Sequence, residues 1–115
     1  MSFLSALFGS KNTTETGNIV ILDKTDYATA ISGPKVQLVD VRTPSEYNGG
    51  HIKKAINIDF FNVVNFKAAF EKLDKTRPVY VYCRSGARSQ KAARKLVAMG
   101  FNEIYDLRGG YNAWN

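Results

Sequence analysis

The stretch VYVYCRSGARSQ, residues 79–90, decides the fold and contains the only cysteine of the chain. Residues 79–82 alternate valine and tyrosine, which favours a short strand. Residues 88–99 place alanine, leucine and valine on one stripe and basic or amide side chains opposite, which predicts an amphipathic helix that ends at Gly100. The loop between strand and helix must turn sharply, and Gly86 supplies the conformational freedom.

Short apolar stretches alternate with amphipathic ones on both sides of this unit. Strands are predicted at residues 19–22, 36–41, 55–58, 79–82 and 104–107, and helices at 25–31, 43–47, 61–73 and 88–99. This alternation predicts an α/β fold with a central parallel sheet and helices on both faces. Residues 1–18 show no sustained period and are expected to form a flexible lead-in, so the domain should span residues 19–115.

Length and composition limit the function classes. The chain has 115 residues, of which 44% are hydrophobic, and this fits one globular domain. No apolar run approaches the roughly 18 residues that span a bilayer, so no membrane association is expected. Residues 1–8 are apolar but lack a basic region and a cleavage site, which indicates a loose tail or partner-docking turn rather than a signal peptide. A single cysteine cannot form an intramolecular disulfide, so a reducing cytoplasm is the expected compartment.

The positive charge is concentrated around the cysteine. The formal net charge is +6, and residues 75–102 contain seven lysines and arginines and no acid. Such a field concentrates anions and favours a thiolate, although part of it belongs to a solvated helix face. The segment has no nucleic-acid-binding motif and no interleaved exposed aromatic residues, so nucleic acid is not expected as a partner.

Cys83 stands where a parallel sheet binds its ligands, beyond the carboxyl end of a strand. The loop amides and the first N–H groups of the following helix can converge there, and the helix dipole adds positive potential. Arg84 and Arg88 contribute two full charges. A lone cysteine is often an inert buried residue, but this setting outweighs that interpretation and predicts a reactive thiolate.

Two chemistries suit a nucleophilic sulfur beside a small anion: phosphoryl transfer and sulfur transfer through a persulfide. A Cys-dependent phosphatase resembles Cys-x5-Arg, whereas Cys83 to Arg88 is Cys-x4-Arg. Losing one residue tightens the loop, because one residue spans at most about 3.6 Å. The tighter loop suits a single sulfur atom better than a tetrahedral phosphate.

The order of several short motifs resembles the single-domain form of the rhodanese-like sulfurtransferase family. The matching pieces are Asp40-Val41-Arg42, Glu46-Tyr47, Gly50-His51-Ile52, Ala55 with Asn57-Ile58, the loop CRSGARS, Ala93 and Leu96 with Gly100-Phe101, and Leu107 with Gly109-Gly110 and Trp114. The resemblance covers roughly residues 19–115. It implies a central parallel sheet of about five strands and Cys83 as the residue that becomes the persulfide.

The resemblance implies a sulfur-transfer reaction in two steps. The Cys83 thiolate attacks the sulfane sulfur of an anionic donor such as thiosulfate, and cyanide, a small thiol or a protein thiol then accepts that sulfur. The predicted substrate-binding residues are Arg42, Arg84, Ser85, Gly86, Ala87, Arg88 and Ser89, with Asp40 in support. One alternative is a sulfur-carrier or protein-docking module with little small-molecule turnover. A Cys-dependent phosphatase or arsenate reductase is the other.

The remaining conspicuous residues have structural interpretations. Asp40 and Arg42 form either part of the pocket mouth or an ion pair that clamps a loop, and His51 lies in a turn rather than acting as a base. One cysteine and one histidine are too few soft ligands for a metal, and no cofactor is expected. A monomer is expected. The residues assigned to the core are Phe60, Phe61, Phe66 and Phe70, with Trp114 closing the C-terminus.

Overall fold

The computed structural model describes residues 18–114 as five strands and five helices. The strands are β1 (Ile19–Leu22), β2 (Gln37–Asp40), β3 (Ile56–Asn57), β4 (Val79–Tyr82) and β5 (Ile104–Leu107). The helices are α1 (Lys24–Ala30), α2 (Pro44–Asn48), α3 (Val63–Glu71), α4 (Ala87–Ala98) and α5 (Gly110–Trp114). The predictions for residues 1–17 lie outside the described part. Asn18, the last residue of the predicted lead-in, donates a 2.6 Å hydrogen bond to the carbonyl of Asn102.

The five strands form one parallel sheet in the order β1-β5-β4-β2-β3, which confirms the predicted α/β class. The chain runs from β2 outward to β3 on one side and from β4 outward to β5 on the other. The strand order therefore reverses between β2 and β4, and open α/β sheets bind ligands at the carboxyl ends of such a pair. Cys83 follows β4 at this position.

Each face of the sheet has its own core, as the prediction of helices on both faces requires. On one face, α3 and α4 cover the inward residues of the central strands through Phe66, Phe70 and Leu96. On the other face, Tyr27 of α1 and Trp114 of α5 pack with the tyrosines of β4 and β5. The central strand β4 is buried along its whole length because it is covered on both sides.

The assignment of Phe61 to the core is wrong: this side chain is 61% exposed. Helix α3 begins at Val63, two residues later than predicted, because Asn62 caps it by accepting a hydrogen bond from the amide of Asn65. Phe61 consequently precedes the helix, and its ring lies 5.4 Å from the guanidinium carbon of Arg88. Helix α1 is capped by Asp23, and α2 begins after a capping box formed by Thr43 and Glu46.

None of the helices within residues 18–114 has the length and apolar character that crossing a membrane demands. The longest of them, α4, has 12 residues and carries its basic side chains on the exposed face.

Candidate active site

The loop after β4 aims a backbone amide at the cysteine sulfur. The N–H of Gly86 donates to Sγ of Cys83 over 3.1 Å. Gly86 has a φ of +113°, a conformation that favours glycine, and it is the N-cap residue of α4. The amide of the N-cap residue of α4 therefore meets the sulfur. The thiol lies deeper than a site at a pocket mouth would place it, because Cys83 is only 1% exposed.

Helix α5 holds the opposite side of this loop. The amides of Tyr111 and Asn112 donate to the carbonyls of Cys83 and Arg84 over 2.8 and 3.0 Å. Gly110 makes the close approach possible, since a Cβ atom there would lie 2.6 Å from the backbone of Cys83 and Arg84. The loop carbonyls are therefore bound to α5, away from the sulfur. The Gly109-Gly110 pair was a sequence signal for this contact, but the contact itself was not predicted.

The residues predicted to bind substrate divide into an outer and an inner group. Arg84, Ser85 and Ala87 are exposed around the loop, and Arg84 has no ion-pair partner within residues 18–114. Ser89 is fully buried and donates from its hydroxyl to the carbonyl of Gly86 over 3.2 Å. Ser89 therefore holds the loop from inside and does not line its outer surface.

Arg88 lies at the edge of the site but its charge is already paired. Its two terminal nitrogens donate to the two carboxylate oxygens of Glu46 over 2.8 and 2.9 Å. These hydrogen bonds are the main cause that lowers the pKa of Glu46 to about 2, and they also raise the pKa of Arg88. The pair ties α2 to α4, so Arg88 braces the two loops at the carboxyl ends of β2 and β4.

Asp40 and Arg42 form a buried ion pair at the end of β2. The Nε and Nη2 atoms of Arg42 bind both oxygens of Asp40 at 2.7–3.0 Å, and Nη2 also donates to the carbonyl of Gly50. Burial acts to lower the pKa of Arg42, but its bonds to Asp40 outweigh that effect and raise it. The guanidinium carbon lies 4.5 Å from the centre of the Tyr111 ring, so Arg42 connects the β2 loop to α5. This geometry matches the loop-clamp alternative.

His51 contacts its own turn. Its Nδ1 lies 2.9 Å from the carbonyl of Tyr47, and its ring stacks on the Tyr47 ring at 3.7 Å. Within the described residues, no three histidine, cysteine, aspartate or glutamate side chains come together as a set of metal ligands.

Asp106, the third residue of β5, is a buried acid that was not among the predicted site residues. It is 1% exposed, and burial raises the pKa of its carboxyl to about 7. A signal was present in the sequence, because the otherwise largely apolar stretch IYDL of a predicted strand contains an aspartate.

Comparisons with known proteins show what this chain is similar to. A sequence profile described as "Rhodanese-like domain" matches residues 23–115. This chain is 42% identical to YqhL of Bacillus subtilis over 80 residues, which are 70% of its length. Over a stretch of the same length it is 40% identical to a protein of Shewanella oneidensis named thiosulfate sulfurtransferase GlpE. These matches span 61% and 76% of the two relatives.

The family also contains proteins with other names, and its fold recurs in solved structures. The chain is 35% identical over 89 residues to a tRNA uridine(34) hydroxylase of Pelagibacter ubique, of which the match covers 30%. The crystal structure of a rhodanese-like domain protein from Staphylococcus aureus superposes with a TM-score of 0.72 at 27% identity, covering 84% of this chain and 91% of that one.

Proposed function

Because this chain belongs to the family of rhodanese-like domains, we propose that it is a sulfurtransferase that carries sulfane sulfur on Cys83 as a persulfide. The observation that carries the proposal is the hydrogen bond from the Gly86 amide to Sγ of Cys83. A backbone N–H aimed at sulfur is a hydrogen-bond donor for the negative charge of a thiolate and equally for that of a persulfide anion. Relatives named thiosulfate sulfurtransferase at about 40% identity support the same reaction class.

The first step forms one S–S bond and breaks another. The Cys83 thiolate attacks the outer sulfur of thiosulfate, the bond between the two thiosulfate sulfurs breaks, and sulfite leaves with its electron pair. The product is the Cys83 persulfide anion, and the total charge does not change. In the second step a nucleophile such as cyanide or a thiolate attacks the outer sulfur and regenerates the Cys83 thiolate.

The exposed arginine of the loop is the residue available to meet the donor. Arg84 has no ion-pair partner within the described residues, whereas Arg88 and Arg42 are paired with Glu46 and Asp40. We assign Arg84 to steering the anion and stabilising leaving-group charge. Arg88 and Arg42, bound to their carboxylates, keep the surrounding loops in place, and the amide of Gly86 holds the sulfur.

The setting of the reaction follows from the chemistry. Cys83 has to stay reduced between turnovers, so the cytoplasm is the compartment we propose. The substrates are a small anionic sulfur donor and a thiol, protein or cyanide acceptor. We expect a monomer that uses no cofactor and binds neither nucleic acid nor membrane.

One alternative is a carrier that receives sulfur from a partner protein. The exposed Phe61 beside Arg88 favours it, because that ring offers an apolar contact near the loop. Such a module would form the persulfide from a protein donor while turning over thiosulfate slowly. A phosphatase or arsenate reductase fits less well, because the loop is one residue shorter than that chemistry uses.

Incubation of the full chain with thiosulfate, followed by intact-mass measurement, tests the proposal. We expect the protein to gain the mass of one sulfur atom and to lose it on addition of cyanide. Cys83→Ser should show no gain. Arg84→Ala should gain sulfur more slowly, whereas Arg94→Ala removes an equally exposed arginine farther along α4 and should leave the rate unchanged.

Three other outcomes would redirect the assignment. Wild-type protein that keeps its unmodified mass in thiosulfate but gains sulfur from a persulfidated protein is a carrier. Hydrolysis of an aryl phosphate that disappears in Cys83→Ser identifies a phosphatase. A reduced, folded protein that accepts sulfur from neither source contradicts the proposal.

A further inference from the structure

A buried carboxyl group that the proposed sulfur chemistry does not use lies behind the active loop. Asp106 is 1% exposed, and its Oδ1 has no hydrogen-bond partner among the described residues. In the sheet it lies between Ile21 of β1 and Val81 of β4, and neither can pair with it. Leaving a buried carboxyl oxygen unpaired costs stability, so its retention here needs a reason.

The side chain of Asp106 points to the face of the sheet that carries the cysteine. Ile104, two residues earlier in β5, packs in the core that contains Cys83 and α4, whereas Tyr105 and Leu107 pack in the opposite core. Side chains alternate along a strand, so Asp106 shares the face of Ile104. Val81, its partner in the register, precedes Cys83 by two residues and lies on that face too.

Ser89 connects Asp106 to the loop. Its hydroxyl donates to the Gly86 carbonyl over 3.2 Å. A hydrogen bond from the same hydroxyl to Asp106 lowers the pKa of that carboxyl. Because the hydroxyl has one proton, these two acceptors compete for it. Gly86 is also the residue whose N–H binds the cysteine sulfur. A contiguous chain of polar groups therefore runs from Asp106 through Ser89 and Gly86 to Cys83.

Asp106 changes charge near neutrality. Burial raises the pKa of its carboxyl to about 7, against the smaller opposing effects of Ser89 and of the Leu107 amide. The groups that face it from the packed elements carry no charge that would fix its state. From α1, the Tyr27 hydroxyl donates to the Val81 carbonyl, and burial keeps its pKa well above 10. Helix α4 presents Ser89, and the neighbouring strands β1 and β4 present the apolar residues Ile21 and Val81. Helix α5 carries no charged residue.

We propose that Asp106 is a positioning residue for the Cys83 reaction, acting through Ser89 and Gly86. Protonated Asp106 leaves the Ser89 hydroxyl on the Gly86 carbonyl, which holds the loop in the geometry that aims the Gly86 amide at sulfur. Ionised Asp106 accepts the hydrogen bond of the Ser89 hydroxyl instead and puts a negative charge behind Cys83. The inference rests on the proposed function and adds a group that regulates the same site.

The charge balance of the first step explains why ionised Asp106 is unfavourable. A thiolate and a thiosulfate dianion come together, so three negative charges occupy the site from encounter to product. A fourth, buried and without a cation partner within the described residues, raises the energy of each of these states. Protonated Asp106 adds no charge.

The pH profile of sulfur transfer tests the inference in the full chain. For wild type, the rate of sulfur gain from thiosulfate should fall as pH passes the pKa of Asp106. Asp106→Asn should lack the falling limb and be up to about tenfold faster at pH 8, where only about a tenth of Asp106 stays protonated. Ser89→Ala should make that limb shallower, because the connection to Gly86 is lost, and should move what remains to higher pH, because the hydrogen bond that favours the carboxylate is lost. Glu103→Gln, which changes the acid just before β5, should leave the profile unchanged.

A second measurement needs no variant. NMR titration of wild type should show the Gly86 amide shifting with the same midpoint as the Asp106 carboxyl carbon. A falling limb that persists at the same pH in Asp106→Asn, or a Gly86 amide indifferent to that midpoint, overturns the inference. A protein that gains no sulfur at any pH contradicts the proposed function instead, and the titration still decides the role of Asp106.

Discussion

Two buried aspartates on neighbouring regions of the sheet have opposite surroundings. Asp40, at the end of β2, is fully buried, and its carboxylate accepts hydrogen bonds from Nε, Nη2 and the amide of Arg42. Asp106, near the end of β5, is equally buried but has no cation and leaves Oδ1 unpartnered within the described residues. The region around Asp40 is a closed network, whereas the region around Asp106 retains an unsatisfied acid.

This difference distinguishes an aspartate that holds the scaffold, Asp40, from one that we propose to act on the site, Asp106. A buried ion pair with every lone pair occupied resists change, because removing either partner leaves the other charged and unsolvated. Burial without a cation raises the pKa of a carboxyl, to about 7 for Asp106, so the charge of Asp106 responds to pH near neutrality. The protein thus fixes the loops at the end of β2 with paired charges and keeps a titrating group behind the loop at the end of β4.

The largest effect is expected from breaking the closed network. Asp40→Ala leaves the Arg42 guanidinium buried without its partner, which should lower the free energy of unfolding by about 3–5 kcal/mol. Urea denaturation followed by circular dichroism measures the loss. The double variant Asp40→Ala/Arg42→Met should recover part of it, and a double variant no more stable than Asp40→Ala would show that the two residues do not act as a pair.

The next effect concerns the pH dependence of stability at Asp106. Its carboxyl binds a proton more tightly in the folded state, with a pKa of about 7, than at the ordinary value of 3.8. Protonation therefore stabilises the fold at low pH, and this stability is lost as pH rises through 7. Between about pH 4 and about pH 6.5, wild type should lose on the order of 3 kcal/mol relative to Asp106→Asn. Parallel urea titrations of both proteins at the two pH values measure this loss. An equal change in the free energy of unfolding of both proteins between the two pH values would contradict the burial argument.

The smallest effect concerns the contact between α5 and the loop. Gly110→Ala combines a φ of +63° with a Cβ 2.6 Å from loop backbone atoms. We expect a loss of about 2 kcal/mol and slower sulfur gain, because the loop must shift away from α5. Gly33→Ala is the matched control, since nothing lies within 4 Å of its added Cβ and its stability should change by less than about 1 kcal/mol. Equal effects of the two substitutions would exclude a specific contact.

Local features of the site could be predicted because the residues that cause them adjoin one another. The position of Cys83 after a buried strand, the turn at Gly86 and the start of α4 all follow from one continuous stretch. The contacts of Arg88 could not be predicted this way, because Glu46 lies 42 residues away and meets it only through the pairing of β2 with β4. Phe61 was misplaced because apolar spacing alone does not show where a helix begins.

By itself, the sequence determined the fold class, the place of the lone cysteine after a strand and the concentration of positive charge around it along the chain, since these depend on periodicity, on neighbouring residues and on composition. Only the tertiary structure decided which charges remain available: Arg42 and Arg88 are bound to carboxylates, Arg84 is not, and Asp106 is enclosed without a cation within the described residues. The physical reason is that the free energy of an ionised side chain in the folded protein depends on its distance to charged partners and to water. Strand order and register, which bring distant parts of the chain together, set both distances.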